Sequence, residues 1–244
     1  MARRRVVRIF KFDRVLLFII FICFAVALTC VLLSIDTLPS GIAVGQRTVY
    51  IVTFDTCDTQ AEAKLKSQEC FSRGGGGNVF ESESGFEVAA SLHESRSNAE
   101  AVKARMENAK LIELTFPRVR LDESVYAKTA VEGLDICYYT VQDSLSKLLT
   151  ELSEHTVSEA AAIKQCTLLS AEVERLYGLS SASASLSALS ESERNAMASV
   201  VTVLGSAKDA FKECIDGDGA ISARIRKVKV TVALSAAAFP KDFK

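Results

Sequence analysis

The feature that most constrains this chain is an uninterrupted apolar stretch near its start. Residues 15–33 contain no charged residue, no proline and no glycine. At a rise of about 1.5 Å per helical residue, a stretch of this length spans the hydrocarbon core of a bilayer, which is about 30 Å thick. The sequence therefore predicts a transmembrane helix in contact with the lipid bilayer, to which we assign residues 15–35.

The charges on either side of the stretch predict its orientation. Residues 1–14 contain six basic residues and one acidic residue, whereas no basic residue follows the stretch until Arg47. Basic flanks of a membrane helix stay in the cytoplasm. We therefore expect a cytoplasmic tail at 1–14, a single pass through the cell membrane, a linker at 36–46 and extracytoplasmic domains beyond it.

Two alternatives to a retained anchor stay open. A cleaved signal peptide also begins with basic residues, but its apolar part is usually about 7–15 residues long and ends at a site of small residues. Cys30 suggests lipid attachment, although Ala27, Leu28 and Thr29 before it form a poor acylation signal. The length of the apolar stretch favours the retained anchor over both alternatives.

The charge of the exported part argues against nucleic acid as a partner. The chain has 29 basic and 30 acidic residues; without residues 1–14 it has 23 and 29, a net charge of −6. Binding to nucleic acid requires a basic surface. The exported part is mildly acidic, so we expect no nucleic-acid partner.

The exported cysteines and histidines form no recognisable chemical motif. The cysteines are odd in number, show no CxxC spacing and are therefore expected to be small buried apolar residues rather than a disulfide framework. They are Cys57, Cys70, Cys137, Cys166 and Cys214. The histidines are His93 and His155, too few for a metal cluster or a catalytic set with serine. We expect no metal, no cofactor and no enzymatic activity.

Residues 47–121 alternate between the hydrophobic periods of strands and helices. The pattern predicts strands at 48–54, 78–82, 86–92 and 110–120, and helices at 60–72 and 98–108. This β-α-β-β-α-β order is typical of a ferredoxin-like α+β domain, in which two helices pack on one face of a four-stranded antiparallel sheet. The other face of the sheet is then expected to be open.

Short motifs of this segment, taken in order, resemble the SPOR (sporulation-related repeat) domain. Tyr50-Ile51-Val52 opens the first strand, and Gly74 to Gly77 lead into Val79-Phe80. The strand Phe86 to Leu92 is followed by a polar turn and by Asn98-Ala99-Glu100. The motifs cover less than a third of the chain, which thus resembles membrane-anchored SPOR-domain proteins of the Firmicutes type.

The resemblance implies that the open sheet face binds peptidoglycan glycan strands stripped of their stem peptides. The residues expected on that face are Tyr50, Thr53, Asp55, Glu87, Ala89 and Ser91. On this interpretation the chain is a non-enzymatic membrane protein that binds or localises to the cell wall in division or sporulation.

Several positions depart from the family pattern. Thr53, Asp55 and Cys57 stand where glutamine, glycine and an aromatic residue are common, and Ala89 stands where arginine or another polar residue is common. Sugar recognition depends on hydrogen-bonding groups and aromatic platforms. The alternative is therefore an assembly or scaffold component of an envelope complex, which no longer binds glycan and acts through its helical region.

Residues 122–244 are expected to be helical. Apolar residues recur at spacings of three and four in three runs, at 131–152, 162–176 and 197–214. We expect Gly178 to end the second helix and 179–185 to be a link. Residues 220–239 fit a helix or a strand, and we favour a helix. The helices are expected to form an antiparallel bundle, or alternatively to self-associate or dock onto another protein through the first run.

Two motifs that invite a chemical interpretation have simpler explanations. Gly74 to Gly77 are not followed by the lysine and helix of a phosphate loop, so we expect a flexible connector. Glu81, Glu83 and Glu87 could in principle supply an acid pair for sugar hydrolysis. They lie around a predicted hairpin, so we expect solvated charges.

Overall fold

The computed structural model describes residues 42–121, 124–185 and 189–240. The predicted cytoplasmic tail, the predicted membrane helix at 15–35 and most of the predicted linker at 36–46 lie outside the described residues. Among the residues that are described, no helix combines the length and the apolar character needed to cross a membrane. The predicted membrane anchor therefore stays a prediction.

The strands of residues 42–121 form two sheets, and the chain is of mixed α and β structure as expected. The strands are β1 (Ile42–Val44), β2 (Arg47–Cys57), β3 (Asn78–Ser82), β4 (Gly85–His93), β5 (Leu111–Phe116) and β6 (Val119–Leu121). The larger sheet is antiparallel, with the order β3-β4-β2-β5. Pro117 ends the edge strand β5, because proline cannot donate to a strand ladder. The smaller sheet pairs β1 with β6; β1 lies in the predicted linker and was not expected.

Two helices pack on one face of the larger sheet, α1 (Gln60–Ser72) and α2 (Arg96–Lys103). The hydroxyl of Thr59 accepts a hydrogen bond from the backbone N–H of Glu62 at 3.2 Å and caps α1. Helix α2 ends earlier than the predicted residue 108. Its last turn tightens where the N–H of Arg105 donates to the carbonyl of Val102 at 3.0 Å. The predicted β-α-β-β-α-β order is confirmed.

The second half of the chain is helical, as predicted. Helix α3 (Val125–Asp135) continues through a π-helical turn (Ile136–Thr140) into α4 (Val141–Ser153), and α5 (Glu159–Ala184), α6 (Glu191–Asp216) and α7 (Ile221–Ala237) follow. The apolar runs predicted from spacing supply buried core residues, among them Leu134, Val141, Leu145, Cys166, Val173, Val200, Leu204 and Phe211. Most apolar residues of the first run are thus buried within the fold. Few of them remain exposed to form a coiled coil with another chain.

The prediction that Gly178 ends a helix, with a link at 179–185, was wrong. Helix α5 runs through Gly178 to Ala184. Leu176 and Ser180 are buried on either side of this glycine. Their packing holds the helical backbone in place and outweighs the low helix propensity of glycine, which costs about 1 kcal/mol relative to alanine.

Gly178→Ala is expected to raise the free energy of unfolding by about 0.5–1 kcal/mol, because alanine loses less backbone entropy in a helix. No neighbouring atom lies within 4 Å of the position that the added Cβ would take. Urea-induced unfolding followed by circular dichroism measures the change. A lower free energy of unfolding in the variant would contradict the expectation.

Helix α7 lies over the second face of the larger sheet. It contacts β3, β4 and β5, and its Val228 and Val232 share a hydrophobic core with Val49, Ile51 and Leu92 of the sheet. The sheet is therefore sandwiched between α1 and α2 on one side and α7 on the other. The described residues, from 42 to 240 with their gaps, belong to one compact unit. Its core therefore includes side chains from both the strand-rich and the helical parts of the sequence.

Candidate functional site

The sheet face that was expected to be open is covered. Val49, Ile51 and Ala89 project from this face and are fully buried in the core that includes α7. The expectation of an open face followed from the β-α-β-β-α-β order alone, and it was wrong because the chain continues beyond that motif. Apolar residues of α7 remove this surface from water, which stabilises the fold by about 25 cal/mol per Å² of apolar area.

The six candidate residues do not form one exposed surface. Four of them are buried, namely Thr53, Glu87, Ala89 and Ser91, and Tyr50 and Asp55 are half-buried. Bulges interrupt the pairing of β2 with β4 around Thr53. A bulge shifts the alternation of side chains. Before the bulges, simple alternation places Tyr50 opposite to Val49 and Ile51, and it packs with the cluster of Ala99 on the α2 side, whereas Ala89 packs in the core on the α7 side.

Glu87 is buried and fully partnered, so the expectation of a solvated charge was wrong for this residue. Its side chain is 1% exposed. Its carboxylate accepts hydrogen bonds from Thr56 Oγ1 at 2.7 Å, Ser84 Oγ at 2.9 Å and Lys110 Nζ at 3.2 Å. Burial acts to raise its pKa, but these three hydrogen bonds outweigh burial and hold the pKa below its ordinary value. An acid with a lowered pKa is ionised at neutral pH and is a poor proton donor.

The other polar candidates also have partners within the fold. The backbone N–H of Lys110 donates to Thr53 Oγ1 at 2.9 Å. Asp55 Oδ2 lies 3.4 Å from Lys66 Nζ. Ser91 Oγ lies 2.9 Å from His93 Nε2. The first two interactions join β2 to the loop before β5 and to α1, and the third lies within β4, so a structural role explains each of them.

The four-glycine run is a packed connector, and the expectation of a flexible one was wrong. Every amide of the run donates a backbone hydrogen bond: Gly74 to Phe71 at 2.9 Å, Gly75 to Cys70 at 2.9 Å, Gly76 to Ala90 at 2.7 Å and Gly77 to Ala89 at 2.9 Å. The amides therefore leave no donors for a phosphate. Glycine allows the backbone of the run to lie close to α1, because a Cβ on Gly75 would lie only 2.4 Å from Cys70 Sγ.

An ion pair between a buried lysine and a half-buried glutamate joins α7 to the residue that follows β4, and the sequence analysis missed it. Lys229 is 2% exposed, and its Nζ donates to Glu94 Oε1 at 3.0 Å, to the carbonyl of Leu92 at 3.3 Å and to Ser146 Oγ. Burial lowers the pKa of Lys229, against the attraction of Glu94. The available signal was its spacing, since Lys229 lies four residues after Ile225 and three before Val232, on the apolar side of the helix.

No protein-family model, curated protein or solved structure matches this chain. The cysteines of the described residues, which are Cys57, Cys70, Cys137, Cys166 and Cys214, are buried and form no disulfides, as expected. Within the described ranges, no group of three or more His, Cys, Asp or Glu side chains could hold a metal ion.

The most distinctive free surface lies on α5, and we call it the α5 stripe, defined by Leu168 and Leu179. These side chains are 65% and 46% exposed. Residues eleven positions apart are separated by about three helical turns and so project from one side of a helix. Of the described residues, only one other large hydrophobic side chain is comparably exposed, Leu65 on α1. The two leucines are about 16 Å apart along the helix, and the ion pair of Glu172 with Arg175 at 2.7 Å lies between them on the same side. The α5 stripe is therefore a mixed apolar and charged surface, the composition that is usual for protein interfaces that are not permanent.

Proposed function

We propose that this chain is a non-enzymatic, membrane-anchored assembly component of an extracytoplasmic cell-envelope complex. Its SPOR-like, ferredoxin-like sheet serves as a scaffold, and contacts with partners are made by the helical region. The observation that carries the proposal is the burial of the second sheet face under α7. A surface that is already packed in a core has no room for a glycan strand.

The positions that depart from the family pattern support the same function. Thr53 and Ala89 are fully buried, and Thr53 uses its hydroxyl to hold Lys110 at the start of β5. Their substitutions therefore fit a sheet that packs against a helix rather than against sugar. The strand order β3-β4-β2-β5 supports the assignment of a split βαβ domain of the SPOR-like kind.

Anchoring would make weak contacts through the helical region effective. A predicted helix at 15–35 confines the chain to a layer next to the membrane, where the effective concentration of another anchored protein is high. A small stripe such as that of α5 is then sufficient for association, because tethering reduces the entropy lost on binding.

Pull-down of the full chain on purified sacculi separates assembly from glycan binding. We expect no retention on intact sacculi and none on sacculi stripped of stem peptides, because the sheet face is covered. Retention that depends on stripping would overturn the proposal and support glycan binding near Tyr50 and Asp55, the two half-buried candidates.

Leu168→Glu combined with Leu179→Glu is expected to abolish association through α5, because each carboxylate would be desolvated in the contact. A photo-crosslinking residue placed at the exposed Ala171 should give adducts in membranes, and the double variant should lose them. The free energy of unfolding should change by less than about 0.5 kcal/mol, as for other exposed positions.

Leu65→Glu is the matched control, since this leucine is 69% exposed but lies on α1. The control should keep the adducts at Ala171. Absence of adducts in the unsubstituted chain, or equal loss in the control, would contradict an assembly surface on α5.

A further inference from the structure

A cavity of about 390 Å³ lies between the glycine run, β4, α2 and α7. Its size falls within the range of about 300–1,000 Å³ that is usual for small-molecule sites. Most of its surface is apolar, contributed by Phe54, Ala90, Val102 and Met106. An apolar wall with a few polar groups is the usual composition of a site for a small organic ligand.

Arg226 of α7 reaches the cavity without an acidic partner. It is half-buried, and its Nη1 donates to the carbonyl of Gly74 at 2.5 Å. No carboxylate in the described parts of the chain forms an ion pair with it. Burial lowers the pKa of the guanidinium, which nevertheless stays protonated. A half-buried cation of this kind favours a bound anion, which would replace lost water at its remaining donors.

The other polar groups of the cavity do not compete for that role. The Arg73 guanidinium is paired with Glu69 at 2.7 Å and lies over the ring of Phe54 at 5.6 Å. Burial, assisted by the positive charge of Lys229, lowers the pKa of His93, so the imidazole is neutral at pH 7. No acidic residue lines the cavity. The polar end of the cavity is therefore positive.

The pairing of Ser91 with His93 in this cavity does not make it a hydrolytic site. The amides of the nearby glycine run all donate to backbone carbonyls, so they offer no oxyanion hole. Both side chains come from one strand, two residues apart, which is ordinary for neighbours on one side of a strand. Their polar atoms suit hydrogen bonding to a ligand rather than chemistry on it.

We propose that this cavity binds a small organic carboxylate, with its anionic head on Arg226 and its apolar body against Phe54, Val102 and Met106. The site is independent of the proposed assembly function, because it does not involve α5. An inorganic anion fits less well, since it would leave the apolar wall unfilled.

Fluorine NMR on the full chain in lipid nanodiscs tests the site with two probes of equal shape. The acid is 5-fluoroindole-3-acetate, and the neutral match is 5-fluoroindole-3-acetamide. We expect saturable broadening of the acid resonance and about tenfold weaker binding of the amide, the difference that one charged hydrogen bond provides. Equal affinity for the two probes, or no binding of the acid, would overturn the proposal.

Arg226→Met should weaken binding of the acid about tenfold and leave the amide unchanged. Arg226→Lys keeps the charge and should retain part of the preference for the acid, which also covers the case in which the methionine variant is unstable. Arg105→Met removes one exposed positive charge outside the cavity and should leave both affinities unchanged. If Arg105→Met weakened binding of the acid as much as Arg226→Met, the preference for the acid would follow from the overall charge of the protein rather than from Arg226. That result would overturn the proposed site.

Discussion

Lys229→Ala is expected to lower the free energy of unfolding by about 2–3 kcal/mol, which is less than the roughly 3–5 kcal/mol for breaking a fully buried ion pair, because the Glu94 side chain is 33% exposed. The substitution leaves Glu94 without its cation and leaves a space where a 2% exposed side chain lay. It also removes the donor shared by the end of β4 and Ser146 of α4. Urea-induced unfolding followed by circular dichroism measures the loss.

A double-mutant cycle separates charge from packing at this pair. Lys229→Met keeps most of the side-chain volume, and Glu94→Gln removes the opposite charge. Each single variant should be destabilised, and the combination should recover much of the loss, because replacing both charges is often close to neutral. Additive losses in the double variant would show that the two residues do not interact in solution.

The same pair predicts the direction of the pH dependence. Burial acts to raise the pKa of Glu94, but Lys229 and the hydrogen bond from Ser146 outweigh it and hold the pKa below 4.5. The unfolded chain therefore binds the proton more readily, and the stability contributed by Glu94 is present above pH 4.5 and is lost as the pH falls through the lower, folded pKa. The acid loss should be smaller in Glu94→Gln; it should not vanish, because Glu87 is shifted in the same direction.

Gly77→Ala is expected to lower the free energy of unfolding by about 2–4 kcal/mol. Gly77 has a φ of +69°, a conformation that costs residues with a Cβ about 1–2 kcal/mol. The added Cβ would also lie 2.7 Å from the carbonyl oxygen of Ser67 in α1. Relief of this overlap would move α1 away from the run and strain the hydrogen bond from the Gly77 amide to Ala89 at 2.9 Å.

Gly178→Ala is the matched control for this variant. It makes the same chemical change in a helix with open space around the added methyl group, so the two substitutions should shift the urea midpoint in opposite directions. A Gly77 variant as stable as the parent chain would mean that the run is loose in solution, as the sequence analysis expected.

The local sequence pattern predicted the structure correctly where a single helix or strand determined which residues are buried. The spacing of Leu134, Val141 and Leu145 predicted their burial in a helix, and the predicted bounds of α1, residues 60–72, match those of the structure. The predictions for Gly178 and for the glycine run were wrong for the same reason. Local propensity favoured a helix end at Gly178 and a flexible loop at the run, but contacts within the fold hold the backbone in place at both positions.

The candidate site was less predictable than the fold, because its exposure depends on what packs over the sheet. Alternation in β2 and β4 suggested one exposed face for Thr53, Glu87 and Ser91, but bulges interrupt the register of these strands and all three residues are buried. Lys229 and Glu94 lie 135 residues apart in the chain, and no local pattern relates residues at that distance.

The sequence by itself determined the types and order of most elements, the burial of its cysteines and the expectation of a membrane anchor, because periodicity, caps and uninterrupted apolar length are local properties. Only the tertiary structure decided that α7 covers the sheet, that Lys229 is buried against Glu94 and that Arg226 faces a cavity without an acidic partner. These features depend on the packing of α7 against the sheet, which brings together residues that are far apart in the chain and that no local pattern relates.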